Sequence, residues 1–268
     1  MSNEVSVHMK FRLLLFATAL AGLQLSCAGP SSALAALQGM RASRYFDQQV
    51  QIDFARAVER GDEARMQDLL EQGADVNAVG RAGMSPLFWA LAKRNKVGFQ
   101  FLLEHGADPN TVARDENGSL ILTEVAAIAE DSDYLRLLLE HGANPDQKTG
   151  SIGRTLIYDA IMHGRRENVR LLAEAGANLN NQDGNGQTPM MTAAAVDKFW
   201  IVRLLLDAGA DPEIEDKWGY RLDWNIREYG DRTIPKQSDD YEAYIDVVEE
   251  LTMRGLLDEG TPAAAVKN

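Results

Sequence analysis

The chain has 268 residues, of which 45% are hydrophobic and 25% are charged, so it is long enough and apolar enough to bury a continuous core. Its formal net charge of -13 argues against a nucleic-acid partner, because acidic side chains would repel the phosphate backbone. The same acidity fits a basic protein partner, and a need for solubility explains it equally well.

Residues 1–35 have the pattern of an export signal rather than of a folded segment. Lys10 and Arg12 supply positive charge ahead of an uncharged stretch from Leu13 to Leu25. This stretch is shorter than the about 20 apolar residues that a membrane-spanning helix needs. Ala33-Leu34-Ala35 then offers the small-residue pattern of a cleavage site. We therefore expect a mature, periplasmic chain that begins near residue 36.

The single cysteine, Cys27, lies in this segment and leaves a second interpretation open. The run Leu25-Ser26-Cys27-Ala28 resembles the end of a bacterial lipobox, although Gln24 stands where leucine is usual. The two alternatives are a soluble product cut after Ala35 and a lipoprotein anchored through Cys27. In either case the mature body has no cysteine, so disulfides cannot stabilise it.

Beyond residue 50, one pattern recurs at a nearly constant interval. Each copy pairs a leucine-rich segment with a Gly-Ala-Asp or Gly-Ala-Asn triplet, and the triplets begin at Gly73, Gly106, Gly142, Gly176 and Gly209. A fixed period of roughly 20–50 residues is typical of solenoids, in which each unit buries one face against the next. We therefore expect one elongated domain over residues 51–257.

Residues 183–215 show how one unit should fold. The run from Asp183 to Gly186 (Asp-Gly-Asn-Gly) is typical of a tight turn, because Gly and Asn tolerate positive φ. Thr188 is a good helix cap and Pro189 suits the first helical position. The apolar spacing over 201–205 predicts a second helix, which Gly209 should end in a left-handed conformation.

This unit resembles the ankyrin repeat, whose signature joins a Thr-Pro-Leu-His run to a later Leu-Leu-x-x-Gly-Ala. Residues 85–90 (Ser-Pro-Leu-Phe-Trp-Ala) and 188–193 (Thr-Pro-Met-Met-Thr-Ala) match the first part, and the five triplets match the second. The resemblance implies an all-α solenoid of about six helix-turn-helix repeats with short β-turn fingers. The family histidine is missing in every unit, so its hydrogen bonds between repeats must be replaced.

The domain divides into six units, and the terminal ones should be atypical because one face of each meets water. The first unit should be a cap whose helix begins near Tyr45, and the third should carry its extra residues around 130–133. The sixth should hold a polar loop over 231–240. The bounds are 36–50 for a linker that includes the start of the cap helix, then 51–80, 81–113, 114–149, 150–182, 183–215 and 216–257 for the units, and 258–268 for a mobile tail.

No residue pattern points to catalysis, a cofactor or a metal ion. His105 and His141 each precede a glycine that should end a helix, where a histidine can bond the last carbonyls. There is no His-Glu-x-x-His and no cysteine cluster. The acidic turns at 115–118 and 183–186 lack the ligand spacing of a calcium loop. We expect a binding protein rather than an enzyme.

The resemblance also implies where a partner would bind, because ankyrin proteins commonly use the finger turns and the ends of the first helices. Exposed aromatic residues are favoured anchors in interfaces, although those of the last unit can instead pack beneath the loop over 231–240. The matching positions are Arg81, Met84, Lys93, Glu116, Asn117, Ser119, Ile152, Arg154, Met162, His163, Asn185, Gln187, Lys217, Trp218, Tyr220 and Tyr229.

We expect the chain to bind a protein of the bacterial envelope and to be a monomer when free. Some exported bacterial ankyrin proteins resembling this one are immunity proteins, which cover a toxin delivered by type VI secretion. Acidic charge would speed the capture of a basic toxin. The alternative is a scaffold or protective factor for a resident envelope enzyme, for example in oxidative-stress defence. Membrane contact is expected only through a lipid on Cys27.

Overall fold

The computed structural model describes residues 39–115, 118–150, 152–229 and 234–258, and for residues 114–115, 118–120 and 228–229 it describes the backbone alone. The expected export signal with Cys27 lies outside these residues, and so does the expected tail beyond Asp258. Glu116 and Asn117, two of the predicted contact residues, also lie outside the described residues.

The described residues form twelve α-helices, arranged as six consecutive pairs. The first helices of the pairs are α1 (Gln49–Arg60), α3 (Pro86–Ala92), α5 (Leu122–Ile128), α7 (Leu156–Met162), α9 (Pro189–Ala195) and α11 (Leu222–Tyr229). The second helices are α2 (Glu63–Glu71), α4 (Lys96–Glu104), α6 (Asp133–Glu140), α8 (Arg166–Glu174), α10 (Phe199–Asp207) and α12 (Asp239–Met253). The predicted solenoid of helix pairs is confirmed.

Two fingers contain short antiparallel hairpins. Strands β1 (Val112–Asp115) and β2 (Gly118–Ile121) pair where the second unit passes into the third, with Val112 opposite Ile121. Strands β3 (Lys148–Thr149) and β4 (Arg154–Thr155) pair where the third unit passes into the fourth, with Lys148 opposite Thr155. The fingers are therefore short turns and hairpins that each precede the first helix of a pair.

The fifth unit folds as its residues predict. The Thr188 hydroxyl accepts a hydrogen bond from the Met191 amide at 3.3 Å, and Pro189 begins α9. Gly209 follows α10 with a φ of +89°, a conformation that a side chain would penalise. Local capping chemistry thus sets the helix boundaries of this unit.

The Gly-Ala-Asp and Gly-Ala-Asn triplets build a polar ladder along the base of the fingers. The Asp108 carboxylate accepts a hydrogen bond from the Asn110 amide at 2.9 Å, which closes its own turn. The Asn110 side-chain oxygen then accepts from the Asn144 amide of the next triplet at 3.0 Å. Equivalent bonds recur at the other triplets. The ladder explains why only Asp and Asn follow Gly-Ala, because a short side-chain acceptor is needed there.

Other buried side chains bond neighbouring units where the family histidine is missing. The Tyr158 hydroxyl donates to the Gln187 carbonyl of the next unit at 2.7 Å. The Trp89 indole donates to the Ala55 carbonyl of the preceding unit at 3.1 Å. The Asn168 amide donates to the carbonyls at the end of α5, including that of Ala127 at 2.7 Å. The expected replacement of the histidine bonds is therefore present at these three interfaces, in a different form at each of them.

Residues 40–48 pack across the second unit. Helix α1 begins at Gln49, so the expected start near Tyr45 was too early. The Tyr45 carbonyl instead accepts from the Arg81 amide at 2.8 Å, and the Lys93 ammonium donates to the Met40 carbonyl at 2.7 Å. This segment therefore covers the finger and the end of the first helix in the second unit.

The third unit carries its extra residues mainly in the finger, and the expected position around 130–133 was wrong for most of them. The segment from Gly106 to the start of α5 at Leu122 is longer than the segment from Gly73 to the start of α3 at Pro86. The return into α6, over 129–132, is only slightly longer than the return into α4, over 93–95. The long β1–β2 hairpin accounts for the difference.

The last unit closes the solenoid with a longer helix. Helix α12 has 15 residues and packs against α10, where the rings of Phe199 and Tyr244 meet edge to face at 5.0 Å. Buried apolar side chains run as one core from Ala42 to Leu257. No helix among the described residues is both long and apolar enough to cross a membrane.

Candidate protein-binding surface

The finger turns of the fourth, fifth and sixth units are joined by backbone hydrogen bonds. The Gly184 amide donates to the Ile152 carbonyl at 2.6 Å, and the Lys217 amide donates to the Asn185 carbonyl at 3.1 Å. We call residues 152–154, 184–187 and 217–220 together the finger row. Because each turn is bonded to the next, the finger row presents its side chains in a fixed order.

The spacing of the finger row depends on two glycines. A Cβ atom on Gly184 would lie 3.2 Å from the Ile152 carbonyl oxygen, and one on Gly186 would lie 2.8 Å from the Lys217 nitrogen. Gly186 also has a φ of +78°. A side chain at either position would therefore push neighbouring turns apart.

Two aspartates hold the turns of the finger row from inside. The Asp183 carboxylate accepts from the amides of Asn185 at 2.8 Å and Gln187 at 3.1 Å. The Asp216 carboxylate accepts from the amides two and four positions later, at 2.9 and 3.0 Å. Sequence reasoning missed this role of Asp216, although Asp-x-x-Gly begins at both positions, one repeat apart.

The exposed side chains of the finger row are apolar at two places. The Ile152 residue is 40% exposed and Trp218 is 44% exposed. Asn185 lies between them in the row and is half-buried, and Lys217 is exposed. Large apolar side chains held on a rigid backbone lose little entropy on binding, so they suit an interface anchor.

Tyr220 and Tyr229 differ from Trp218 in what the structure shows. Tyr220 is half-buried, with its ring 4.6 Å from that of Trp224. Tyr229 ends α11, and its side chain lies outside the described part, as does that of Ser119. Trp218 is thus the aromatic residue of the last unit that most clearly faces solvent among the described ones.

Three predicted contact residues are not available as surface contacts. Met84 is buried under the second finger, and Gln187 is buried at the base of the fifth. The Lys93 side chain is only 6% exposed, because it bonds the Met40 carbonyl and lies 3.3 Å from the Glu59 carboxylate and 4.5 Å from the Trp89 ring centre. Packing within the chain therefore excludes these three from the contact set.

Arg81 and Arg154 are held by carboxylates of the chain. Arg81 is exposed and pairs with Asp47 of the N-terminal segment. Arg154 is half-buried, with its Nε 3.3 Å from the Asp183 carboxylate and its guanidinium 5.7 Å from the Tyr158 ring centre. Both side chains shape the fingers, and their role towards a partner stays a prediction.

The histidines at helix ends behave alike. A ring nitrogen of His105 lies 2.7 Å from the Phe101 carbonyl, and that of His141 lies 2.9 Å from the Leu137 carbonyl, which confirms the expected role at helix ends. His163 makes the same contact with the Asp159 carbonyl at 2.9 Å and is exposed beside half-buried Met162. His163 and Met162 therefore remain open to a partner.

Two half-buried carboxylates, Glu124 on α5 and Asp159 on α7, belong to neighbouring first helices. Burial, with the nearby Asp159 carboxylate as a second cause, raises the pKa of Glu124 to about 7. Burial also raises the pKa of Asp159, although the Thr149 hydroxyl donates to it at 2.5 Å. A basic side chain from a partner would lower both pKa values and would be attracted to this part of the surface. Within the described residues no group of three potential metal ligands occurs.

Comparisons with known proteins agree with this architecture. A family model described as ankyrin repeats in three copies matches residues 54–149 and 125–216. A putative ankyrin repeat-containing protein of Treponema pallidum (strain Nichols) is 32% identical over 45% of this chain and 40% of its own length. Protein PhlB of Serratia liquefaciens is 34% identical over 57% of this chain and 66% of its own length. The chain thus spans less than two thirds of either relative.

A solved structure shares the fold. The crystal structure of an ankyrin repeat domain from Acinetobacter baumannii AYE matches with a TM-score of 0.57 and 27% sequence identity, over 72% of this chain and 96% of that one. Ankyrin repeats are generally non-catalytic modules that bind proteins, and the family match covers more than half of the chain. The chain belongs to the ankyrin-repeat family.

Proposed function

We propose that this chain is an exported protein of the bacterial envelope that binds a toxin through the finger row and neutralises it. The observation that carries the proposal is the finger row itself, in which backbone bonds between turns hold the exposed Ile152 and Trp218. A rigid row with apolar anchors fits a partner that is held stoichiometrically and covered.

The charge of the chain supports a basic partner. The formal net charge is -13, and an acidic surface raises the association rate with a basic protein at low salt. The half-buried carboxylates of Glu124 and Asp159, whose pKa values are raised, add a place where a partner's lysine or arginine would be favoured. Export rests on the sequence pattern of residues 1–35, and the bacterial relatives support a bacterial setting.

The experiment is capture followed by a growth test. The full chain with a C-terminal affinity tag is expressed in bacteria, and proteins retained from native envelope and secreted fractions are identified. Each retained protein is then exported to the periplasm with and without this chain. We expect one basic partner that arrests growth alone and is harmless when the chain is present.

A different result separates the alternatives. A resident enzyme that binds the chain without arresting growth would overturn neutralisation and favour a scaffold. A chain that stays in the cytoplasm, by fractionation against a periplasmic marker, would overturn export.

A further inference from the structure

A cavity of about 590 Å³ opens at the return between the two helices of the third unit. Its walls come from the returns of the second, third and fourth units, and we call it the return cavity. Fingers precede the first helices and returns follow them, so the return cavity lies at the opposite end of the helices from the finger row. Its volume is within the range of about 300–1,000 Å³ that is usual for small-molecule sites.

An irregular return produces this cavity. In the first, fourth and fifth units a residue with positive φ closes the return, and these residues are Gly61 (+68°), Gly164 (+63°) and Asp197 (+58°). The third unit has no such residue, because Ala129 ends α5 in an extended conformation with ψ 150°. The longer return of the third unit therefore stays open. Its residue Asp131 forms an ion pair with Lys96 of the second unit, with 2.9 Å between the ammonium and the carboxylate.

The return cavity has an apolar lining beneath a charged rim. Leu91, Val97, Val125 and Ile128 supply the apolar part. This apolar lining joins the second and third units, and Leu91 and Val125 belong to the core, so the lining can bury the apolar body of a ligand.

Two of the three cations at the rim are already neutralised. Lys96 lies 2.9 Å from Asp131 and 2.5 Å from Asp133. Arg165 lies 3.6 Å from Glu130, and its Nε donates to the Ile128 carbonyl at 2.7 Å. Asp133 also lies 2.7 Å from Arg136, so the three carboxylates at and beside the rim face three cations. Together these six groups carry no net charge that would repel a ligand.

Arg94 is the third cation, and no hydrogen bond or ion pair joins its side chain to any residue in the described ranges. It also has a φ of +54°, at the place where Gly61 and Gly164 stand in other units. A long side chain in this left-handed conformation costs stability. Glycine would adopt this backbone conformation at a lower cost in stability. The presence of an arginine here is therefore better explained by a role of its guanidinium at the cavity.

Tyr134 supplies a second donor to the return cavity. The residue is only 4% exposed, and its hydroxyl has no hydrogen-bond partner among the described residues. Its ring is fixed edge to face against Phe99 at 5.1 Å. Burial is the main cause that raises the pKa of Tyr134 to about 12, so the hydroxyl keeps its proton and can donate it.

We propose that the return cavity binds a molecule with an apolar body and a single carboxylate, which accepts hydrogen bonds from Arg94 and the Tyr134 hydroxyl. Arginine favours carboxylates because its planar fork matches both oxygens. The apolar body would lie against Val97, Val125 and Ile128. A free small acid and the C-terminus of a peptide with apolar last residues both have this chemistry.

The experiment is calorimetric titration of the full chain with matched probes. Phenylbutyrate and phenylbutyramide share one apolar body and differ in the carboxylate. We expect saturable binding of the acid and about tenfold weaker binding of the amide, because a charge-assisted hydrogen bond is lost. A peptide ending in Leu-Leu is titrated with a free and with an amidated C-terminus. The tighter of the two acids assigns the source of the carboxylate.

Variants test the named residues. Arg94→Gly should weaken binding of the acid by about tenfold without lowering the unfolding temperature, because glycine suits a φ of +54°. Tyr134→Phe should weaken it by a smaller factor. Asp197→Gly is the matched control, since it changes the same position of another return, and it should bind as the unchanged chain does.

Three results would overturn the proposal. These are equal affinities for the acids and their amides, equal acid binding by Arg94→Gly and the unchanged chain, and no saturable binding of either acid at millimolar concentration. None of these results bears on capture of a protein through the finger row, because the two sites are at opposite ends of the helices.

Discussion

The finger row and the return cavity lie at opposite ends of the same helices, and neighbouring units meet differently at the two ends. At the finger row, turns are bonded to one another through their backbones, as the Gly184 amide and the Ile152 carbonyl show. At the return cavity, one return is irregular and a space of about 590 Å³ opens. Regular contacts give a rigid surface for a large partner, whereas a break in the regular pattern gives a concave site.

The largest expected loss of stability comes from adding a side chain at Gly186, where two turns of the finger row lie close together. Gly186→Ala would place a Cβ 2.8 Å from the Lys217 nitrogen at a φ of +78°. We expect a loss of about 3 kcal/mol in the free energy of unfolding, from the strained φ and the overpacking together. Gly209→Ala is the control, because its φ is +89° but its Cβ would have no neighbour within 4 Å. It should cost about 1 kcal/mol. Urea denaturation measures both, and equal losses would show that the turns do not press on each other.

A slightly smaller loss of stability is expected from a substitution of Asn168, at the end of the helices opposite the fingers. Asn168 is buried, and its amide donates to the carbonyls of Ala127 at 2.7 Å and Ala129 at 3.0 Å. Asn168→Ala leaves these helix-end carbonyls without a donor, so the free energy of unfolding should fall by about 2 kcal/mol. Denaturation measures it, and a loss below about 0.5 kcal/mol would mean that water replaces the amide.

Glu124 should make the free energy of unfolding depend on pH. Its pKa is raised to about 7 from an ordinary value of 4.5, so the folded chain holds a proton that the unfolded chain has lost between these values. Stability from this group is complete below the ordinary value and is lost as pH rises to about 7.

Glu124→Gln removes that loss. The variant should be more stable than the unchanged chain by about 1–2 kcal/mol at about pH 8, with partial exposure taken into account, and the two should be equally stable at about pH 4. Glu104→Gln, at an exposed site on α4, should show no such pH-dependent gain. Denaturation at both pH values decides this, and a gain of the same size at the lower pH would exclude titration of Glu124 as the cause.

The smallest expected effect is a gain in stability from a substitution at the return cavity. Arg94→Gly should raise the free energy of unfolding by about 1 kcal/mol, because glycine accepts the left-handed backbone. Asp197→Gly should gain less, since aspartate tolerates this conformation better than arginine. A loss of stability in Arg94→Gly would mean that the arginine side chain supports the fold.

Much of the fold was predictable because repeat chemistry is local. Thr188, Pro189 and Gly209 set their helix ends through capping and φ preference, and these effects depend on adjacent residues. Met84 and Lys93 were wrongly predicted to be surface contacts, because both are buried. For Lys93, the burial depends on contacts distant in sequence. The cover on Lys93 comes from Met40, which lies far earlier in the chain. No local pattern reports such a contact.

The finger row was partly predictable, and the return cavity was not predicted. Ile152 and Trp218 could be predicted as contact residues from their positions in the finger turns. The hydrogen bonds between turns could not be predicted, because they form only when neighbouring units are stacked. The return cavity needs three returns to meet. One sequence signal was present, since Arg94 takes the place that Gly61 and Gly164 hold in other units.

The central claim is that the finger row binds a protein partner. The most direct measurement is the dissociation constant, by calorimetry, of the captured partner with the unchanged chain and with the Ile152→Ser, Trp218→Ala double variant. The control is Met253→Ser, which alters an apolar residue that is 82% exposed but lies outside the finger row. We predict at least about tenfold weaker binding by the double variant, with unchanged stability, and unchanged binding by the control. Equal affinities of the double variant and the unchanged chain would contradict the claim.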